Sequence, residues 1–240
     1  MRSMQRVVAI LESVASSQMP ATPARVSEEI ALSLSTVSRI MRDLAEDQML
    51  DRVEDGSYML GSRVFRMVRN AREGGDPMAV IHRVLADLRD RTGETVSLNV
   101  RRDDTRVCIA SVDSRHELRR VVPVGDVIPL VGTATGDVLM AELPVAEQTA
   151  IIDRASRTTG SRVELLARLR ETADRGWSAQ GGGLIVGVTG VAVPVRTGDR
   201  VIAALTLSGP TSRLPATAVE KCLPDLEDAA RRVAPWVRGI

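Results

Sequence analysis

Between Ser33 and Leu44 the chain reads SLSTVSRIMRDL, which puts Val37, Ile40, Met41 and Leu44 at the i, i+3, i+4, i+7 spacing of one helical face. Ser35, Ser38, Arg39 and Arg42 are left on the other side. A helix with an apolar back must bury it, so partners are needed close by. Upstream, Met4, Val7, Val8, Leu11 and Val14 recur at helical spacing, and PARVSEEIA makes a short second helix. Downstream, MLDRVEDGSYMLG gives two short runs around Asp55-Gly56, a strong hairpin signal. Helix, short helix, turn, helix and hairpin is the order of a winged helix-turn-helix, whose third helix enters the major groove while the hairpin wing lies along the backbone. Ser35 is the expected N-cap of that third helix, with Ser38 where a full capping box needs Glu or Gln.

The 240 residues are 44% apolar and 26% charged, which suits one large or two ordinary globular domains and excludes disordered and collagen-like classes. Cys108 and Cys222 are too few for a disulfide framework. The start, MRSMQRVVAILESVASS, is unlike a signal peptide, and no run approaches the roughly 18 apolar residues that cross a bilayer. A cytoplasmic protein with no membrane partner is expected. The formal net charge is +1, and through Arg72 ten arginines face nine acidic residues. Bulk charge therefore does not announce nucleic acid, and the placement of individual side chains must carry that case.

After the hairpin, SRVFRMVRNAR repeats apolar and arginine positions at helical spacing and ends at Gly74, Gly75 and Pro77. This predicts a linker helix over 62–75 between a 1–61 winged helix-turn-helix and a 76–240 domain. In the latter, a helix carries Val80, Ile81, Val84, Leu85 and Leu88, and Val96, Leu98 and Val100 alternate before an RRDD turn to Val107 and Ile109. Two helical stretches follow, the first broken at Pro144. A second strand pair surrounds Thr197-Gly198-Asp199, and a last helix from about Ala216 to Val237 is expected to break near Pro224. Helices gathered beside an antiparallel sheet make an α+β domain.

Chemistry is sparse. His82 and His116 have no cysteine or carboxylate at metal spacing, and Cys108 sits mid-strand as a small hydrophobe. No nucleophile elbow or phosphate loop occurs, so no enzyme activity, cofactor or metal is expected. QGGGLIVGVTG, residues 180–190, lacks a dinucleotide register and reads either as a flexible loop entering a strand or as a loop closing over a small molecule.

Taken together, SMQRVVAILESVA, STVSRIMRDLAEDQMLDRVEDGSYMLGSRV, RTGETVSLNV, PLVGTATGDVLMA, RGW, GVTGVAVPV and ALTLSGPTSRL resemble, in order, the IclR family of bacterial transcriptional regulators over nearly the whole chain. The resemblance implies a winged-helix DNA reader, a linker helix used in dimerisation, and an α+β effector domain related to small-molecule-binding GAF and PAS modules. It implicates Ser35, Thr36, Ser38, Arg39 and Arg42 in DNA readout, with Arg52 and Ser57 on the wing. Partners implied are a pseudo-palindromic double-stranded operator, a small effector, and further copies of the chain as a homodimer or dimer of dimers.

In the effector domain, Val131, Gly132, Thr135 and Asp137 stand where the family commonly has His, Cys, Leu and Lys. Gly182 and Gly183 replace an acidic pair, and Gly190 replaces a cysteine. The pocket so implied leaves Thr133, Thr135 and backbone groups to orient a ligand among Val131, Ala134, Leu184, Val186 and Val188, with Gly132, Gly187 and Gly190 admitting close approach. The expectation is a repressor answering to a neutral or largely apolar effector, or else one whose pocket no longer senses a ligand. The competing reading is a ligand carrier that uses its N-terminal helices for oligomerisation.

Overall fold

The computed structural model describes residues 3–17, 19–72, 76–155 and 160–237, and of 69–72 the backbone alone. The chain forms two compact units, Met1–Asp76 and Pro77–Ile240. The turn expected at Gly74 and Gly75 lies outside the described residues.

The first unit holds α1 (Ser3–Ser16), α2 (Pro23–Glu29), α3 (Leu34–Glu46), β1 (Leu50–Arg52), β2 (Tyr58–Leu60) and α4 (Ser62–Arg72). Ile10, Val14, Val26, Val37, Met41, Leu44, Leu50 and Tyr58 make its core. Thr22 caps α2, accepting from the Arg25 amide, and Pro23 takes the first helical position, where its missing N–H costs nothing. The cap of α3 is Ser33, not Ser35. The connecting turn closes early, with Ala31 at φ +52° and the Ser27 hydroxyl donating to the Leu32 carbonyl at 2.6 Å, so the chain is already helical at Leu34. The wing pairs Leu50 with Leu60 and Arg52 with Tyr58, and turns at Gly56, whose φ of +83° favours glycine. Ala21 adds a bridge to Tyr58.

The second unit runs α5 (Pro77–Thr92), β3 (Thr95–Arg102), β4 (Thr105–Val112), β5 (Val127–Pro129), α6 (Ala134–Met140), α7 (Val145–Arg154), α8 (Arg162–Arg175), β6 (Ser178–Gly181), β7 (Val188–Thr197), β8 (Arg200–Pro210) and α9 (Ala216–Val237). Its six antiparallel strands are ordered β5-β4-β3-β8-β7-β6. Val96, Leu98, Val193 and Leu205 on one face pack with Ile81 and Leu85 of α5 and Leu226 and Val233 of α9. Ala192 and Ala204 on the other face meet Leu130, Val138, Leu165 and Leu169 of the α6–α8 layer.

Two expectations change here. The short edge strands β5 and β6 join what reads in sequence as two hairpins. The last helix also continues through Pro224. A mid-helix proline costs about 3 kcal/mol, but Val219, Cys222, Leu226, Ala229 and Val233 keep one buried stripe on both sides of it.

Candidate nucleic-acid interface and ligand cavity

In the first unit, α3 buries Val37, Met41 and Leu44 and leaves Ser35, Arg39 and Arg42 exposed, with Thr36 and Ser38 half-buried beside them. The Ser33 hydroxyl donates to Thr36 Oγ1 at 2.8 Å and lies 3.3 Å from that of Ser35, so small hydroxyls ring the first turn. Arg63 is tied to Asp47 at 3.3 Å, whereas among the described residues Arg39, Arg42 and Arg52 form no ion pair. Arg52 is exposed at the wing, its guanidinium 3.8 Å from where a Cβ on Gly56 would stand. Forked donors on such a face suit phosphates and guanine edges.

Ser57 does not belong to this face. It is 1% exposed, and both its amide and its hydroxyl donate to Asp55 Oδ1, at 2.9 and 2.5 Å. The asparagine-like turn at the wing tip consumes the donors that DNA would need.

In the second unit, a cavity of about 500 Å³, open mouth included, lies between the start of α6 and the sheet. Thr133 caps α6, accepting from the Gly136 amide at 3.0 Å and donating to the Leu130 carbonyl at 3.1 Å. Gly136 is required here, since a Cβ would fall 1.8 Å from the Leu130 carbonyl oxygen. The cavity floor is polar because of register. Ser97 pairs with Thr206 across β3 and β8, and Gly190 with Ser208 across β7 and β8, on the face opposite Leu98 and Leu205. Thr135 closes over it, its hydroxyl 2.9 Å from that of Thr206.

Of the expected effector contacts, Gly132, Thr133, Ala134, Thr135, Leu184, Val188 and Gly190 line this cavity. Val131, Val186 and Gly187 do not. Val131 is buried in the helical layer, beside Met140 and Leu165. The 182–187 loop turns at Gly182 and Gly187, both at positive φ, which ends any alternation and leaves Val186 92% exposed. Sequence reasoning missed Ser97, Arg106, Arg120, Val122, Gln180, Gly183, Ile185, Thr206 and Ser208, which complete the lining. A signal existed in TVSLNV and ALTLSG, where small polar side chains alternate with apolar ones in a sheet covered on both faces.

The expected cavity without charged anchors is likewise not the one observed, because Arg106 and Arg120 line it and no carboxylate does. Arg106, on β4, is 7% exposed. Its Nη1 donates to Asn99 Oδ1 at 2.5 Å, Asn99 Nδ2 donates to Ser97 Oγ at 3.1 Å, and the buried Nε has no partner. Burial pulls the Arg106 guanidinium down to about 10, Arg120 adding to the pull while Cys108 and Asp126 oppose it, so it remains a cation at neutral pH. Burial also pushes the Cys108 thiol up to about 11, which keeps it protonated and unreactive.

Behind the cavity sits a buried carboxylate. Asp137, 1% exposed, accepts at Oδ2 from Ser178 Oγ at 2.9 Å, Gln180 Nε2 at 2.5 Å and Arg168 Nε at 3.0 Å, while Oδ1 has no partner. Burial raises its pKa, with Arg168, Gln180 and Ser178 opposing. Gln180 thus joins the cavity wall to α8 through Asp137. Among the described residues no group of side chains is placed to hold a metal ion, and no helix is long and apolar enough to cross a membrane.

A helix-turn-helix with an open arginine face and a separate α+β unit enclosing a cavity can be compared with known proteins. The IclR helix-turn-helix domain matches residues 3–54, and the bacterial transcriptional regulator IclR C-terminal domain matches residues 75–235. The chain belongs to the IclR family. It is 30% identical over 233 residues to the probable transcriptional regulator SauR of Cupriavidus necator, covering 94% of this chain and 92% of that one. It is 25% identical to the transcriptional repressor IclR of Escherichia coli, covering 89% and 81%. In structure it is similar to an IclR homolog complexed with 4-hydroxybenzoate from Microbacterium hydrocarbonoxydans, with TM-score 0.78, 22% identity and 99% of each chain covered. IclR regulators bind DNA and small-molecule effectors, so this chain is a DNA-binding transcriptional regulator with an effector-binding C-terminal domain.

Proposed function

We propose that this IclR-family regulator is a repressor that holds a pseudo-palindromic operator as a homodimer or dimer of dimers and releases it in response to a small effector in the cavity under α6. The observation that carries the DNA reading is the exposed row of Ser35, Arg39 and Arg42, which makes no ion pair among the described residues, over the buried Val37, Met41 and Leu44. The buried back holds the helix, and the Arg39 and Arg42 guanidiniums, without an ion-pair partner among the described residues, are free to donate. One winged helix reads only a few base pairs, so operator specificity calls for two related by a two-fold axis. Residues 62–75 are assigned the linker between the 1–61 and 76–240 domains. The repressor name of the Escherichia coli relative and the 4-hydroxybenzoate complex of the Microbacterium homolog support repression and a small effector.

Effector binding shifts the balance between subunit arrangements by a coupling of about 1–3 kcal/mol, and operator DNA must change effector affinity by the same factor. The reading is tested by titrating salt against binding to the DNA upstream of the chain's own gene and to random duplex of equal length. A specific complex tighter than the random control is expected, and equal weak binding overturns it.

Arg39→Ala is expected to weaken operator binding by about 1–3 kcal/mol and relax base preference, because a forked base contact is lost. Arg52→Ala is expected to weaken binding to all sequences alike and to flatten the salt dependence by about one unit of slope, as for a phosphate contact. Electrophoretic mobility shifts at several salt concentrations separate the two.

A further inference from the structure

We infer that Gln48 and Gly61 are positioning residues for operator binding, which join the start of α4 to the end of α3 stiffly enough to fix the half-site spacing that a pair of chains accepts. The inference rests on the dimeric operator reading above, with α4 as the helix through which the two copies are held. Three observations carry it.

The first is that α4 has little else to lean on. Of its described side chains only Val64 is half-buried, while Phe65, Met67 and Val68 stand exposed. Among the described residues, the hydrogen bonds that leave 61–66 run to residues 47–49. The direction of α4 within its unit is therefore set at its first turns.

The second is how closely two stretches of backbone meet there. A Cβ on the buried Gly61 would fall 2.2 Å from the Gln48 carbonyl oxygen, so only glycine fits. Gln48 itself lies at φ +58°, a left-handed conformation that a residue with a side chain keeps only where its surroundings hold it. The Gly61 amide donates to the Met49 carbonyl at 2.9 Å and the Arg63 amide to that of Gln48 at 3.0 Å, the latter satisfying a donor that a helix start leaves unpaired. This turn is bound to α3 in its own right, since the Met49 amide donates to the Leu44 carbonyl at 2.9 Å.

The third is a side-chain brace one turn further along α4. Arg66 Nη2 donates to Gln48 Oε1 at 2.8 Å and its Nη1 to Ser62 Oγ at 3.1 Å, while Arg63 Nη1 reaches Asp47 Oδ1 at 3.3 Å. Exposed pairs of this kind add little stability, so what they do is hold the angle between the two helices. One base pair moves a half-site by about 3.4 Å and turns it by about 34°, and two reading helices carried on stiff arms cannot follow such a shift without strain.

The experiment enriches sites for the full chain from a random duplex library, and sequencing reads half-site sequence and spacer length separately. On the enriched site, adding or removing one base pair in the spacer is expected to cost the wild type about 10-fold or more in affinity. In Gly61→Ala, whose added methyl pushes the Gln48 carbonyl away, that penalty is expected to fall to about threefold or less while the same half-site sequence is enriched. Loss of stability alone would weaken every site alike and leave the penalty in place. The double variant Arg63→Ala, Arg66→Ala, at two exposed positions, removes the brace without touching the core and is expected to bring the penalty to about fivefold or less.

An unchanged spacing penalty in folded Gly61→Ala, or in the double variant when Gly61→Ala does not fold, overturns the inference and leaves the operator reading intact. A wild type that enriches a single half-site, or no sequence at all, overturns the paired-operator reading and this inference with it.

Discussion

Asp137→Ala is expected to destabilise the 77–240 unit by about 3–5 kcal/mol, seen as a lower urea midpoint with unchanged slope. The carboxylate is 1% exposed and holds the side chains of Arg168, Ser178 and Gln180 on a single oxygen. Truncation strands the buried Ser178 hydroxyl and the part-buried Gln180 amide and Arg168 guanidinium at once. Asp137→Asn keeps one carbonyl for those donors and removes the charge, so it should cost far less. Burial holds the folded pKa above the ordinary carboxylate value. This group's stabilising contribution is therefore fully present below the unfolded value and is lost as pH rises through the folded one. The wild type should accordingly gain on Asp137→Asn as pH falls toward that range. A pH-independent difference between the two would contradict the assignment.

Met41→Ala is expected to remove about 2–5 kcal/mol from the 1–76 unit. Met41 is fully buried and sits between Val37 and Leu44 on the face that packs α3 with Ile10, Val26 and Leu50. A unit of this size buries a smaller share of its surface than a larger domain, so such a loss approaches its whole stability. Operator binding should be abolished at growth temperature while effector binding by the 77–240 unit persists. Calorimetry should show the loss of one unfolding transition and the survival of the other. Retained operator affinity would mean that the α3 core does not hold the reading helix.

Much of the first unit was legible because its signals are local. The i, i+3, i+4, i+7 row from Val37 to Leu44 and the Asp55-Gly56 turn each depend on residues within one element, and both appear where they are expected. The helix cap was misplaced by two residues because the left-handed backbone of Ala31 and the Ser27 hydroxyl close the preceding turn, and hydrophobic periodicity encodes neither. Ser57 was misread for a similar reason. Its place near the wing tip is a matter of spacing, but its commitment to Asp55 is a matter of direction.

The cavity shows the opposite balance. Its near wall, from Gly132 to Thr135, is one contiguous stretch and could be read from the chain. Its floor is assembled from β3, β4, β7 and β8, strands separated by up to about a hundred residues, and only their register brings Ser97, Arg106, Thr206 and Ser208 under one helix. Sequence alone thus determined the two-unit α+β plan and the outward face of α3, since periodicity and turn chemistry are properties of short segments. The tertiary structure decided the charge of the cavity. A guanidinium comes to line the cavity only because non-local pairing buries Arg106 on β4 and ties it to Asn99.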